Sequence, residues 1–342
     1  MDILCPLLSP ETDRVLLAHG SGGRLMHQLL SHTVLPALGG AGLGQTDSAV
    51  LTIGAQKLAF TTDSFVVSPP FFAGGNIGSL AVCGTVNDLA MVGAKPLYLS
   101  LALLLEEGFA IAKLEEILAS IRATADAAGV TIVTGDTKVV DRGKGDGIFI
   151  NTSGIGVIEH ALTLAPASVR AGDAVIVSGD PGRHGIAVLA QRAGLAFETS
   201  IESDVACLHR AVQSLLAAEL ALHCLRDLTR GGLASALVEI AADAGLGIAL
   251  QEAAIPISPP VRAASELLGL DPLQIACEGR FVLFVPADQA ESALACLRAQ
   301  THCRDAARIG TVLAEPGVTV ETPLGTRRVL DMLSGSQLPR IC

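Results

Sequence analysis

The sequence predicts an α+β protein of two domains, and three observations lead there. At 342 residues the chain has room for about two domains of the usual ~150 residues. Half of its residues are hydrophobic and 17% are charged, a composition that fills packed cores and excludes global disorder. Strand-like and helical runs alternate without the strict βαβ rhythm of a doubly wound sheet. They divide at Ala165–Asp173, where Pro166, Gly172 and several small residues separate two apolar runs.

In chain order, the turn His19-Gly-Ser-Gly-Gly-Arg24 leads into a helix with Leu25, Met26, Leu29 and Leu30 on one side. Strands follow at Ala49–Ile53 and Leu58–Val67. A helix covers Asn76–Met91 and stops at Gly93. Pro96–Leu105 is a strand, Ile111–Ala128 a helix ended by Gly129, and Val130–Thr134 a short buried strand. A longer strand runs near Gly147–Ile158. Past the boundary come a strand at Ala174–Ser178, a Gly-rich loop, and a helix from His184. Helices are expected near Asp204–Leu216, Leu233–Ala244, Pro259–Leu268 and Asp288–Arg298, with a strand at Phe281–Val285 and strand-like pieces at the end. The polar, Gly- and Pro-punctuated segment from Ser334 to Cys342 is expected to be mobile.

Composition narrows the function. The formal charge is −11 and aromatics are 3%, with no Trp. A nucleic-acid backbone as main partner is therefore excluded, for lack of basic groups and stacking platforms. An acidic protein still binds a phosphorylated ligand when divalent cations bridge the two. The longest apolar run, Leu97–Leu105, contains Ser100 and falls far short of the roughly 18 residues of a membrane span. With no basic-then-apolar leader, a soluble cytoplasmic protein is expected. Eight cysteines contain no Cys-x-x-Cys, and His-Glu-x-x-His is absent, so internal cysteines are expected to be buried free thiols.

No Walker A motif and no Gly-x-Gly-x-x-Gly after a strand is present. Carboxylates instead stand in apolar surroundings: Asp47 in Thr-Asp-Ser, Asp63 in Phe-Thr-Thr-Asp-Ser-Phe-Val-Val, Asp88 in Val-Asn-Asp-Leu-Ala-Met, and Asp136 directly after an apolar run. Singly, each reads equally as a turn former or cap. Together, with few Lys or Arg nearby, they point to a shared hard cation such as Mg2+. Two segments suit anions at helix N-termini: Ser178-Gly-Asp-Pro-Gly-Arg-His-Gly185 and Asp227-Leu-Thr-Arg-Gly-Gly-Leu233, with Asp227 or Thr229 as an ordinary N-cap the alternative. Lys138 and Glu278 are candidate acid–base groups or plain surface charges.

Taken together, His19-Gly-Ser-Gly-Gly-Arg24, Thr61-Thr-Asp-Ser, Phe71-Phe-Ala-Gly-Gly-Asn-Ile-Gly78, Asn87-Asp-Leu-Ala, Gly135-Asp-Thr-Lys-Val-Val140, Asp227-Leu-Thr-Arg-Gly-Gly232 and Pro339-Arg-Ile-Cys342 closely resemble the HypE family of hydrogenase maturation proteins. The resemblance runs from about His19 to Cys342. The wider superfamily of aminoimidazole ribonucleotide synthetase, selenophosphate synthetase and thiamine phosphate kinase shares the Asp pattern but not the terminal tetrapeptide. Many family members have Gly-Asp-His-Gly where this chain has Gly182-Arg-His-Gly185.

The resemblance implies a synthetase-like fold with an N-terminal β-rich domain flanked by helices (1–165, ATP binding and dimerisation). A C-terminal α/β sandwich domain (166–330) and a mobile tail (331–342) follow. It implies a homodimer, ATP with Mg2+ between the domains, a carbamoyl group loaded onto Cys342 by HypF, and dehydration of that thiocarbamate to a thiocyanate. The cyanide then passes to iron on HypC–HypD. Asp47, Asp63, Asp88 and Asp227 match metal-binding positions. Gly20, Gly22, Gly23, Asn87, Asp136, Thr137, His184, Arg230 and Gly231 match nucleotide-binding ones. Cys342 is the acceptor, Glu278 the base, and Lys138 the group polarising the carboxamide oxygen. Eleven residues from Asp331 to Cys342 extend to roughly 36 Å, enough to swing between a cleft and a partner enzyme. Two rivals remain open on the sequence: another ATP-dependent kinase or synthetase of that superfamily, and a metallochaperone holding nickel or iron on Cys342, His302 and Cys303.

Overall fold

The computed structural model describes residues 14–39, 46–195, 200–333, 335, 338 and 340–342. Cys5 and the Pro339 of the terminal tetrapeptide lie outside the described residues. Helix α1 (Arg24–Leu29) starts at Gly23 and continues through a π-turn into α2 (Leu35–Ala37). Strands β1 (Ala49–Ile53) and β2 (Gln56–Phe65) form a hairpin across Gly54. A small ribbon, β3 (Phe71–Phe72) with β4 (Gly75–Asn76), precedes α3 (Ile77–Met91). The Asn76 side chain caps that helix, accepting the amides of Gly78 at 2.8 Å and Ser79 at 3.2 Å. Then come β5 (Lys95–Glu106), α4 (Ile111–Ala128), β6 (Thr131–Val140) and β7 (Ile148–Ile158).

The first sheet has the order β1-β2-β7-β5-β6. Its neighbours are antiparallel except β5 and β6, which α4 joins as a crossover. Along β7 the side chains alternate: Ile148, Ile150 and Thr152 are buried, while Ile155 faces out. Helix α3 covers the buried face, and it is apolar all round because it is covered on two sides. Its Ile77, Leu80 and Val86 pack with Phe65, Leu99 and Ile150 of the sheet. Its Ala90 and Met91 join Leu208, Leu215 and Leu225 from the second half of the chain.

The expected short buried strand at Val130–Thr134 is different in the structure. Strand β6 runs on to Val140 and lies almost wholly exposed, with Val133 58% and Val139 66% accessible. It pairs with β5 on one side and with no described strand on the other, so apolar composition there marks an uncovered edge instead of a core. Asp136 and Lys138 consequently lie inside a strand, not after one.

The second sheet collects β8 (Ala174–Val177), β9 (Cys224–Asp227), β10 (Gly247–Gln251), β11 (Phe281–Val285), β12 (Ala307–Leu313), β13 (Gly317–Glu321) and β14 (Arg327–Val329). Its order is β14-β13-β10-β12-β8-β11-β9. Helices α5 (Arg183–Ala193), α6 (His209–Ala217), α7 (Gly232–Ala244), α8 (Pro259–Leu268) and α9 (Ala290–Arg298) connect and cover it. Strands β8 and β11 are buried on both faces. Leu233, Leu237 and Ile240 of α7 cover Val175, Val177 and Phe284 on one face. Leu215, Leu294 and Leu297 cover Ile176, Leu283 and Val285 on the other.

The sequence reading missed the short strands β9 and β10. It also started a helix at Asp204, whereas α6 begins at His209. The physical reason is local. The Asp204 carboxylate accepts the amides of His184 at 3.1 Å and Glu278 at 3.3 Å, and Asn87 accepts that of Leu208 at 2.7 Å. Bonds from Asp204 to distant backbone amides, and from Leu208 to the Asn87 side chain, thus hold this segment out of a helix.

Candidate active site

The Gly-rich turn and the start of α7 build one wall of the site. Gly22 and Gly231 both hold left-handed backbone, at φ 75° and 80°. A Cβ on Gly22 would stand 2.6 Å from the Arg230 carbonyl oxygen, and one on Gly231 would stand 2.2 Å from Ser235 Oγ. The two turns therefore interlock in a way only glycine permits. Beyond Gly23, the Arg24 amide donates to Leu333 O at 3.0 Å, and its guanidinium pairs with Asp331. The tail is anchored here before it crosses the site.

Among the described residues of the tail, Arg340, Ile341 and Cys342 are docked against the first sheet. Val66 N donates to Cys342 O at 3.0 Å, Ser68 N to Arg340 O at 3.3 Å, and Arg192 to Arg340 O at 2.7 Å. Arg340 pairs with Asp146 and lies over the Phe149 ring. Ile341 is 4% exposed and packs in the core cluster of the first sheet. Burial of that apolar side chain offsets the entropy of ordering the polar residues before it, a contribution of about 1.5–3 kcal/mol.

The tail closes a cavity of about 290 Å3 whose walls include Gly20, Gly22, Gly23, Arg230, Gly231 and Cys342. Burial pushes the Cys342 thiol up to about 12. Arg230 opposes that rise, while Glu278, Asp63 and Asp227 add to it. These are the charged groups that face the sulfur.

Beside the cavity lie the four expected aspartates. Thr61 Oγ1 donates to Asp88 at 2.8 Å, and Thr229 Oγ1 to Asp227 at 3.4 Å. Asp47 is held by Arg226 Nη1 at 3.1 Å, and Asp63 accepts from the Ser64 amide at 2.7 Å. Desolvation raises all four, with mutual repulsion adding strongly at Asp88, and Asp227 reaches about 8. Asp47 Oδ2, Asp227 Oδ2 and Glu278 Oε1 are buried without a hydrogen-bond partner. Among the described residues no three His, Cys, Asp or Glu side chains cage an ion by themselves. A loose set of carboxylates with free oxygens suits a cation that takes its other ligands from phosphate and water.

Glu278 is 3% exposed. Burial first, then Asp227, Asp204 and Asp63, push its carboxyl well above the usual range, against Arg230.

Other expected residues lie elsewhere. Lys138 is exposed on β6 and pairs with Asp136 at 2.7 Å. With Thr137, these two residues are not brought to Cys342 within one chain. Asn87 is buried, and its carboxamide is fully engaged with backbone: Ala206 O at 3.0 Å, Glu278 O at 3.3 Å and Leu208 N at 2.7 Å. His184 is buried against the tail instead of opening on the cavity. His302 and Cys303 line a separate cavity with Cys83 and Cys207. Cys342 thus has no part in a common metal centre with them.

Sequence reasoning missed Arg226, Asp204 and Asp180. Arg226 carried a signal, an Arg placed beside Asp227 inside an apolar strand. Asp180 explains the departure at position 183: its carboxylate pairs with both Arg183 and Arg280, the latter at 2.8 Å. The loop keeps an acid, three residues earlier.

Residues 45–158 match the AIR synthase related protein N-terminal domain, and residues 170–322 match the corresponding C-terminal domain. Over 331 residues the chain is 50% identical to the carbamoyl dehydratase HypE of Azotobacter vinelandii, covering 96% of this chain and 97% of that one. The chain belongs to the HypE carbamoyl dehydratase family. A crystal structure of the hydrogenase maturation protein HypE in complex with ATP superposes with a TM-score of 0.82 at 46% identity, covering 96% of this chain and all of that one. A HypE–HypF complex gives 0.85 at 43% identity, covering 89% and 99%. The HypE likeness thus extends over both sheets and the helices between them.

Proposed function

We propose that this chain is an ATP-dependent carbamoyl dehydratase acting on its own Cys342. HypF loads the carbamoyl group and the product cyanide goes to iron on HypC–HypD, all in the cytoplasm. The observation that carries this is the seating of Cys342 in one cavity with the glycine turns, facing Arg230, Glu278, Asp63 and Asp227. Its thiol is a poor nucleophile there, because burial keeps it protonated. A thiocarbamate carries no titratable proton on sulfur and suits the same place. Loading then happens with the tail out, and dehydration with it docked. The proposed division is 1–165, 166–330 and a tail from 331.

The net reaction converts –S–CO–NH2 and ATP to –S–C≡N, ADP and phosphate. Hydroxide is a hopeless leaving group, so the carbamoyl oxygen departs on the transferred phosphoryl group. Glu278 in its ionised form, which Arg230 favours, accepts one N–H proton as the triple bond forms, and the other leaves with the departing phosphate. Mg2+ held by Asp47, Asp63, Asp88 and Asp227 would neutralise phosphate charge. Gly20, Gly22, Gly23, Arg230 and Gly231 cradle the nucleotide, with Asn87 acting through the backbone it ties.

Lys138, Asp136 and Thr137 enter the site in a homodimer. Support comes from the outer face of the first sheet, where Leu51, Phe60, Ile155 and Tyr98 form an exposed row across β1, β2, β7 and β5, and from the open β6 edge where that sheet ends. A second copy covering such a face removes a large apolar patch and an unpaired strand. Lys138 then polarises the carboxamide oxygen of the neighbouring copy.

Mass spectrometry of the Cys342 peptide tests the main claim. Carbamoylated protein given Mg-ATP should lose the mass of one water from that peptide, and an unchanged mass overturns the assignment.

A further inference from the structure

We propose that His184 is a positioning residue for the reactive tail: its Nε2–H holds the Ile341 carbonyl and thereby sets where the Cys342 sulfur lies. The proposal rests on Cys342 being the reacting thiol. His184 stands in the first turn of α5, fully buried. Its Nε2 is 2.7 Å from Ile341 O and its Nδ1 is 2.8 Å from Ser203 Oγ. The Phe72 ring meets it edge-on, with centroids 5.2 Å apart.

These contacts define the tautomer. Burial lowers the imidazole's basicity, against Asp204, so the ring is neutral and carries one N–H. A carbonyl oxygen only accepts, so the proton is on Nε2. Nδ1 therefore accepts from the Ser203 hydroxyl. Ser203 is itself fixed, its amide donating to Ala73 O at 2.8 Å and its hydroxyl accepting from Val205 N at 3.1 Å.

The same element reaches the proposed base. Asp204 Oδ1 accepts the His184 amide at 3.1 Å and the Glu278 amide at 3.3 Å. One carboxylate thus holds the backbones of the tail clamp and of Glu278. The clamp grips the peptide next to Cys342, whereas Arg192 grips Arg340, one residue further away. His184 therefore fixes the peptide that enters Cys342, while the Val66 amide holds the Cys342 carbonyl at 3.0 Å on its other side.

The test compares carbamoylated His184→Leu, His184→Gln and Ser203→Ala proteins with wild type. A glutamine amide nitrogen can stand near the imidazole Nε2 and donate to the same carbonyl. His184→Leu should slow single-turnover dehydration by about 10- to 100-fold, the size expected when a reacting group shifts by about 1 Å. Affinity for a non-hydrolysable ATP analogue, by calorimetry, should stay unchanged. In the uncarbamoylated protein, iodoacetamide should alkylate Cys342 faster, as read on its peptide. His184→Gln should restore most of both effects. Ser203→Ala, which leaves the ring in place, should show the same changes more weakly, so that misfolding of the leucine variant does not decide the matter. Wild-type alkylation and dehydration rates in both His184→Leu and Ser203→Ala overturn the clamp. A loss of ATP-analogue affinity matching the loss of rate overturns it too, by making His184 a nucleotide contact. If Cys342 is not the reacting thiol, wild type itself loses no water, yet the alkylation rates still report on the clamp.

Discussion

Asp136 and Asp227 are the same side chain in opposite surroundings. On the exposed edge of β6, the Lys138 ammonium and the Thr137 amide hold the Asp136 carboxyl below its usual range. Between the two sheets, burial and Asp47 raise Asp227 to about 8, against Arg226. One group is satisfied within its own strand, and the other is unsatisfied until positive charge arrives. A group left in the second condition costs the fold stability, and such sites are where function is concentrated.

Breaking the buried side should give the largest effect. Asp227→Asn removes a charge the reaction needs, and the dehydration rate should fall about 10³-fold, a barrier higher by about 4 kcal/mol. The same variant should melt a few degrees higher than wild type without nucleotide near neutral pH, because it no longer has to take up a proton on folding. Calorimetry and the single-turnover assay read both; a lower melting temperature would show that the cluster is internally satisfied.

The exposed side is tested by complementation. Lys138→Met and Cys342→Ser should each abolish turnover as separate proteins while leaving the melting temperature unchanged. Mixed in equal amounts and allowed to exchange subunits, they should regain activity, because one site then combines the lysine of one copy with the cysteine of the other. No recovery in a verified mixed dimer removes Lys138 from the partner's site.

A smaller effect separates the two regions by pH. Between the ordinary carboxylate value near 4 and about 8, the folded chain keeps a proton on Asp227 that the unfolded chain has released. Stability of the nucleotide-free protein should therefore fall as pH rises through that window. Mg2+ competes with that proton, so its thermal stabilisation should be larger at pH 8.5 than at pH 6 in wild type. The difference should shrink in Asp227→Asn but persist in Asp136→Asn.

The smallest expected change applies the same rule to a base. Burial, with help from Arg210, holds His209 down to about 4. Between about 6.5 and 4 the unfolded chain takes up a proton that the folded chain refuses, so stability drops as pH falls through that range. His209→Gln should flatten this acid limb in melts from pH 7 to 4.5.

Much of this was legible beforehand, for reasons that differ by residue. The period and end signals of Ile111–Ala128 and Pro259–Leu268 are local, and both helices have those bounds. The glycines at 22 and 231 stood out because tight turns restrict residue type. The aspartates at 63 and 88 stood out because a charge inside an apolar run demands a partner. The strand at β6 misled because an apolar run does not say whether anything covers it. The helix expected at Asp204 misled because its competing hydrogen bonds come from His184, Glu278 and Asn87, distant in sequence.

By itself the sequence determined which groups are costly to bury and which turns need glycine, since these follow from each residue's own chemistry. It also carried the family motifs, including the cysteine at position 342. Only the tertiary structure decided that this cysteine lies docked beside Arg230 and Glu278, that Asn87 is engaged with backbone, and that His184 grips the tail. Those outcomes depend on contacts between segments as much as 274 positions apart, whose geometry no local pattern encodes.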